Sequence, residues 1–190
     1  MIKIGFVRHG STAWNKQGRA QGNSDIPLDI EGLTQASKLA ERLKTEEWDF
    51  IYSSNLLRAR QTAGIIGDRI GNNQIGLDKR LREVGGGYIE GTTEIERIEK
   101  WGNNWRELDL GIEQSDKVVE RGLAFLNEIL EKHHDKKVLI VSHGSFIKHL
   151  LKDLVPGLDE ASLKNCSITK LEKSTEGWEM KLHNCTMHLT

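Results

Sequence analysis

Two histidines of this chain stand in the same short setting. Arg8-His9-Gly10 closes the apolar run IKIGFV, and Ser142-His143-Gly144 closes KVLIV. A neutral imidazole is a competent nucleophile that can carry a covalent group. The glycine behind each lets the backbone turn sharply or come close to a ligand. Arg8 adds a guanidinium, a group rarely buried without a partner, and no obvious carboxylate is near it in sequence. Its partner is then expected from outside, as an anion. A second arginine, Arg58, lies near the start of the helix after FIYSS, where free N–H groups and the macrodipole attract anions. Guanidinium forks grip phosphoryl oxygens in pairs and stay charged at any working pH. Phosphoryl transfer spreads negative charge over the equatorial oxygens, so fixed cations lower its barrier. Arg8, His9, Arg58 and His143 are therefore a candidate phosphoryl-transfer patch. Glu83, in a glycine-crowded stretch, offers a carboxylic acid for the leaving oxygen. Glu90, in IEG, is the rival for that role.

These residues work together only if the fold delivers them to one place. Strand and helix signals alternate along the chain. IKIGFV, WDFIYSS, QIGLDKRL and KVLIVSHG read as strands, the last being the strongest. A helix from Gly32 carries Leu33, Ala36, Ala40 and Leu43 on one face. The helix after FIYSS has Asn55 where a cap is wanted and lines Ala59, Ala63, Ile66 and Ile70 on its inner side. TEIERIEKW is a short helix, and WGNNWRELDLG reads as a loop. Ser115 opens a long helix with the stripe Val118, Val119, Gly122, Leu123, Leu126, Ile129 and Leu130. SFIKHLLKDLV is a further helix, stopped by Pro156. CSITKLE and WEMKLHNC read as a closing antiparallel hairpin. This pattern implies an α/β fold with mainly parallel strands and covering helices, in one domain over residues 1–190. Open α/β sheets bind ligands beyond the carboxyl ends of their strands, where Arg8, His9, Arg58 and His143 converge.

Composition narrows the classes of partner. The 190 residues carry a net charge of −1, so no global field draws in nucleic acid or an anionic membrane. No apolar run approaches the length of a membrane span, and no basic leader precedes the first strand, which makes the cytoplasm the expected location. The two cysteines, Cys166 and Cys185, fall on the last two strand-like runs. A disulfide between them is geometrically possible in a tight hairpin, and a reducing cytosol favours two thiols. No Cys/His spacing resembles a zinc ligand set, and no metal or other cofactor is expected.

RHGSTAWN, GRAQGNSDIPLDIEGLTQA, SSNLLRARQTA, LREVGGGYIEG and SHGSFIK resemble, in order, the signatures of the histidine phosphatase superfamily. The likeness is to its phosphoglycerate mutase-like branch and spans about residues 4 to 171. The resemblance implies a three-layer α/β/α sandwich around a central, mostly parallel sheet, working without metal. His9 matches the nucleophile that becomes phosphohistidine. Arg8, Arg58 and His143 match the pocket for the phosphoryl oxygens, and Gly144 follows the second histidine. Asn15 matches a further phosphate contact, and Gln21 with Gly22 a segment near the substrate. Glu83 matches the general acid that later activates water.

Several positions depart from the mutase pattern. Glu83 is followed by VGGGYIEG, not by an arginine and a Tyr-Gly pair, and no long basic insertion fits between Glu90 and Ser115. GYIEG is similar to the GxWEG of the phosphatase branch, with Ile89 in place of tryptophan. Asn55 stands where aspartate is common, and Ser145 and Lys148 where glycine and arginine often follow the histidine. These features favour a phosphomonoesterase acting on a small phosphorylated metabolite, as a monomer or homodimer. A primer-dependent phosphoglycerate mutase and a non-catalytic phospho-ligand binder are the alternatives. A segment at about 84–114, including WGNNWRELDLG, is the expected lid, in which Trp101 and Trp105 either pack or touch substrate.

Overall fold

Strand β1 (Ile2–Arg8) buries every residue from Ile4 to Val7, as a strand covered on both faces must. In the computed structural model, which describes residues 1–158 and 161–190, eleven more helices and strands follow among the described residues. They are α1 (Ala13–Lys16), α2 (Ile30–Leu43), β2 (Phe50–Ser54), α3 (Leu57–Ile70), β3 (Ile75–Asp78) and α4 (Glu94–Trp101). Next come α5 (Ser115–Lys132), β4 (Lys137–Ser142), α6 (Gly144–Leu154), β5 (Ile168–Ser174) and β6 (Gly177–Cys185). One sheet of six strands runs in the order β3-β2-β4-β1-β5-β6. The first four are mutually parallel. The β5–β6 hairpin joins β1 antiparallel, so the sheet is mixed.

Alternate residues of a strand point to opposite faces, and helices cover both. Phe6 of β1 and Ile140 of β4 meet Phe125 and Ile129 of α5 and Phe146 and Leu150 of α6. Val7, Leu139 and Val141 face the other way, against Leu39 and Leu43 of α2 and Ala63 and Ile66 of α3. Fully burying each large side chain stabilises by about 1.5–3 kcal/mol. The parallel register pairs Val7 with Val141 and Arg8 with Ser142. The next residues, His9 and His143, therefore leave the sheet side by side. That register makes the site possible.

Local chemistry sets the element ends, with two departures from the sequence expectation. Helix α2 begins at Ile30, before Gly32, because Asp29 caps it by accepting from Gly32 N at 2.7 Å. The buried stripe is then Ala36, Leu39, Ala40 and Leu43, and Leu33 turns outward at 41% exposure. Asn55 does not cap α3. The cap position is Leu56, without a side-chain bond. Asp25 instead accepts from Leu57 N at 2.5 Å, while Asn55 Oδ1 accepts from Arg82 Nε at 2.7 Å. Cys166 and Cys185 are both buried free thiols, and Cys185 opposes Ile168, not Cys166, across the hairpin.

Residues 84–114, the segment expected as a cap, fold as a run of short pieces. Tyr88 N donates to Leu110 O and Glu113 N to Gly85 O, both at 2.8 Å, which closes the segment on itself. Thr93 and Glu96 make a capping box at the start of α4. Trp105 is buried between the Arg97 and Arg106 guanidiniums, 4.8 and 4.2 Å from its ring centre. Its Nε1 donates to Glu94 at 3.0 Å.

Candidate active site

His9 follows β1, and its environment fixes which ring nitrogen is available. Its Nδ1 lies 2.7 Å from the Gly10 carbonyl. A carbonyl only accepts, so Nδ1 carries the proton and Nε2 keeps its lone pair. Arg58 Nε donates to that Nε2 at 3.2 Å, which agrees with the same tautomer. Burial first, then the nearby Arg58 and Arg8 guanidiniums, push the His9 pKa well below its ordinary value. The imidazole is therefore neutral at neutral pH, with Nε2 as a ready electron-pair donor. Gly10 has no room for a side chain: a Cβ there would sit 2.6 Å from the Gly32 carbonyl oxygen. Its amide donates to Thr62 Oγ1 at 3.1 Å, and Asn165 Nδ2 donates to the His9 carbonyl at 3.0 Å.

Two arginines flank this nitrogen, held by carbonyls and not by carboxylates. Arg58, in the first turn of α3, is fully buried. It donates from Nη1 to Ser24 O at 2.7 Å and from Nη2 to Gly22 O at 2.8 Å. Burial lowers its pKa to about 10, still far above neutrality, so its charge persists. Arg8 donates from Nη1 to the Leu163 carbonyl, and its buried Nε has no partner. Gly144 gives it space, because a Cβ there would lie 3.1 Å from Arg8 Nε. Carbonyl oxygens orient a guanidinium without neutralising it, so both cations keep their charge for an anion.

His143 packs behind His9, with ring centres 5.2 Å apart. It is the N-cap residue of α6 and is fully buried. Its Nε2 lies 2.8 Å from Ser54 Oγ at the end of β2, and its Nδ1 has no partner. Burial first, then the charge of Arg58, push its pKa well below the usual histidine value. Two buried nitrogens without partners in one cluster, Arg8 Nε and His143 Nδ1, are unusual in a native interior. Arg8 lines the cavity at His9, whereas His143 lies behind it and does not.

Glu83 and Glu90 part company in the structure. Glu83 lines the same cavity as His9 and both arginines, a space of about 290 Å³. Its carboxylate accepts from Phe146 N at 2.8 Å and Ser145 N at 3.2 Å, at the N-terminus of α6, and from Val84 N at 2.9 Å. Glu90 instead stitches two loops together, accepting from Asn23 N at 2.8 Å, Ser24 Oγ at 2.8 Å and Gly86 N at 3.0 Å. A Cβ on Gly22 would fall 2.0 Å from Glu90 Oε1, so that glycine admits the Glu90 clasp. Asn15, Gln21 and Gly22 also line the cavity. Asn15 Oδ1 accepts from Thr12 N at 3.1 Å, completing the turn after β1, and Gln21 Oε1 accepts from Thr12 Oγ1 at 3.0 Å.

From residues 84–114, the cavity is lined by Val84, Gly85, Gly86, Ile89 and Ile112, not by Trp101 or Trp105. His149, which carries no motif in the sequence, lines it from α6, one turn after Ser145. Arg121 was equally silent in the sequence. From α5 it donates to the carbonyls of Arg80, Arg82 and Glu83 at 2.7, 2.8 and 3.1 Å and pairs with Glu113. It positions the backbone that carries Glu83. The only hint was an arginine on the rim of a helix whose stripe reads as core. Among the described residues, no group of three or more His, Cys, Asp or Glu is placed to hold a metal ion.

The geometry has close parallels among known proteins. The uncharacterized phosphatase PhoE of Bacillus subtilis is 33% identical over 193 residues, covering 100% of this chain and 98% of that protein. The probable phosphoglycerate mutase GpmB of Yersinia enterocolitica is 33% identical over 207 residues, covering 100% of this chain and 95% of that one. Among solved structures, a mycobacterial glucosyl-3-phosphoglycerate phosphatase superposes with a TM-score of 0.86 at 28% identity, over 96% of this chain and 99% of that chain. The family model for the histidine phosphatase superfamily, branch 1, matches residues 4–186. With sheet order, paired strand-end histidines and matching sequence in agreement, the chain belongs to the histidine phosphatase superfamily, on its phosphoglycerate mutase-like side.

Proposed function

We propose that the protein is a phosphomonoesterase that hydrolyses small phosphorylated metabolites through a phosphohistidine on His9, without a metal. The observation that carries this reading is the unprotonated His9 Nε2, fixed by the Nδ1–Gly10 bond, its lone pair accepting only from Arg58 Nε at 3.2 Å. In the first half-reaction Nε2 attacks phosphorus and the P–O bond to the leaving group breaks. The leaving oxygen takes the electron pair and a proton from Glu83. Arg8 and Arg58 hold the transferring oxygens throughout, giving charge stabilisation that needs no reorganisation. In the second half-reaction Glu83 takes a proton from water. The hydroxyl oxygen bonds to phosphorus, the P–N bond breaks, and its electrons return to Nε2. Inorganic phosphate leaves and His9 is regenerated.

The test is phosphate release from a panel of monoesters, with chelator present and no bisphosphorylated primer, for wild type beside His9→Ala. Release that survives the chelator and vanishes in the variant is expected. Substantial turnover by His9→Ala would overturn the nucleophile, and loss of wild-type activity to the chelator would overturn the metal-free route.

A second reading, mutase, has one observation in its favour: a probable phosphoglycerate mutase matches at the same 33% identity as a phosphatase. Interconversion of 2- and 3-phosphoglycerate only when 2,3-bisphosphoglycerate is added would establish it. The chemical difference lies in water access to the phosphohistidine. We further place the protein in the cytoplasm, consistent with two free thiols, as a monomer or homodimer; cell fractionation and gel filtration test this.

A further inference from the structure

The end of β1 is held by the segment that leads into its neighbour β5. Leu163 O accepts from Arg8 Nη1, and Ser167 O accepts from Arg8 N at 3.2 Å. Cys166 stands in the left-handed region at φ 52°, and its amide donates to Arg8 O at 3.0 Å and His9 O at 3.3 Å. Asn165 adds a side chain to this hold. Its Nδ2 donates to His9 O at 3.0 Å and to Asn15 Oδ1 at 3.3 Å.

We infer that Asn165 is a positioning residue of the phosphoryl pocket, fixing the Asn15 amide so that its Nδ2 is the end presented to a phosphoryl oxygen. The inference rests on the reading of this cavity as the phosphoryl site, and it adds a residue that acts on the phosphate only through others. Donors and acceptors alone fix the atoms. The His9 carbonyl only accepts, so the Asn165 atom facing it is the amide nitrogen. That nitrogen has two N–H groups, and the second points at one terminal atom of Asn15. The backbone N–H of Thr12 points at the same atom from 3.1 Å. Two groups that can only donate meet there, so that atom is the oxygen. Nδ2 is left as the opposite end of an amide that lines the cavity with Arg8, His9 and Arg58. One side-chain nitrogen thus steadies the backbone of the nucleophile and the orientation of a pocket donor together. A free amide would have to be ordered when the phosphate binds, whereas this one is ordered on folding.

Orthovanadate binding by calorimetry and hydrolysis of p-nitrophenyl phosphate test this in wild type, Asn165→Leu, Asn165→Asp, Asn15→Ala and the double variant Asn15→Ala/Asn165→Leu. One lost transition-state donor costs about 10²–10³ in rate, and a donor left free to turn costs part of that. Asn165→Leu should therefore lower kcat/KM and vanadate affinity by about tenfold. Asn165→Asp keeps size and polarity but sets an oxygen where both neighbours need an N–H, so it should lose at least as much. In the Asn15→Ala background, Asn165→Leu should cost no more than about threefold further, the sign of two residues acting as one. Equal losses in both backgrounds, unchanged vanadate affinity, or an Asn165→Asp variant that matches wild type overturns the inference. Urea unfolding reports whether each variant folds, and if Asn165→Leu does not, the Asp variant decides by the same readouts. Wild type that binds vanadate but hydrolyses no monoester overturns the phosphomonoesterase reading and leaves the vanadate measurements to judge Asn165. Wild type that does not bind vanadate overturns both.

Discussion

The phosphoryl pocket and the cap are built from opposite materials. The pocket is made of side chains at the ends of β1, β2 and β4, and Arg58 and His143 are fully buried. Its cations are oriented by carbonyls of Gly22, Ser24 and Leu163, groups that cannot move without moving the backbone. The cap is made of short pieces held by surface ion pairs, such as Arg19 with Glu96 and Arg106 with Glu94. It leaves Tyr88 at 74% and Ile95 at 69% exposure. Exposed ion pairs contribute little to stability, whereas the pocket's arginines are held by buried carbonyls.

That contrast can be broken most sharply inside the pocket. Arg58→Lys keeps a charge but loses the planar fork that reaches Gly22, Ser24 and His9 at once. A fall in kcat/KM of about 10²–10³ is expected, the scale of one lost transition-state donor. An unchanged kcat would dismiss the two-sided grip. Glu83→Gln should lower kcat/KM, which reports the first half-reaction alone, by about 10²–10⁴ for alkyl phosphates and much less for p-nitrophenyl phosphate, because a good leaving group needs no proton. Equal slowing of both would move the acid elsewhere.

In the cap, Trp105→Ala removes the plate between Arg97 and Arg106. Faster amide exchange along α4 is expected, with kcat within about tenfold of wild type and the larger change in KM. A collapse of kcat equal to that of Arg58→Lys would erase the distinction between the two regions.

The smallest effect is on stability against pH. His9 and His143 have native pKa values well below 6.5, with burial the leading cause. Below about pH 6.5 the unfolded chain takes up protons that the native state refuses, so stability falls as pH drops from 6.5 toward the native values. His143→Gln should flatten the slope of unfolding free energy between pH 6.5 and 5, measured by urea titration. A slope equal to that of wild type would mean that His143 is not held neutral.

Much of the pocket is legible along the chain because its signals are local. A buried run ending in Arg-His-Gly, and a second ending in Ser-His-Gly, say by themselves that two imidazoles leave strand ends where the backbone turns. The order of strands and helices implies the α/β class for the same reason, since hydrophobic period and breaker residues act over a few positions. Element boundaries were less secure. Asn55 had the chemistry of a cap, but Asp25, thirty-two residues before Leu57, took that role. Leu33 had the spacing of a core residue until Asp29 started α2 earlier.

The sequence by itself therefore determined the residue types of the reaction, the family to which they belong, and the strands and helices that carry them. Only the tertiary structure decided the rest. The parallel register of β1 and β4 set His9 beside His143. A carbonyl contact chose the tautomer of His9, and the α6 N-terminus separated Glu83 from Glu90. Arg121 and His149 gained their places with no motif to announce them. The physical reason is range: propensity and patterning act between neighbours, whereas these contacts join segments brought together only when the two cores close on the sheet.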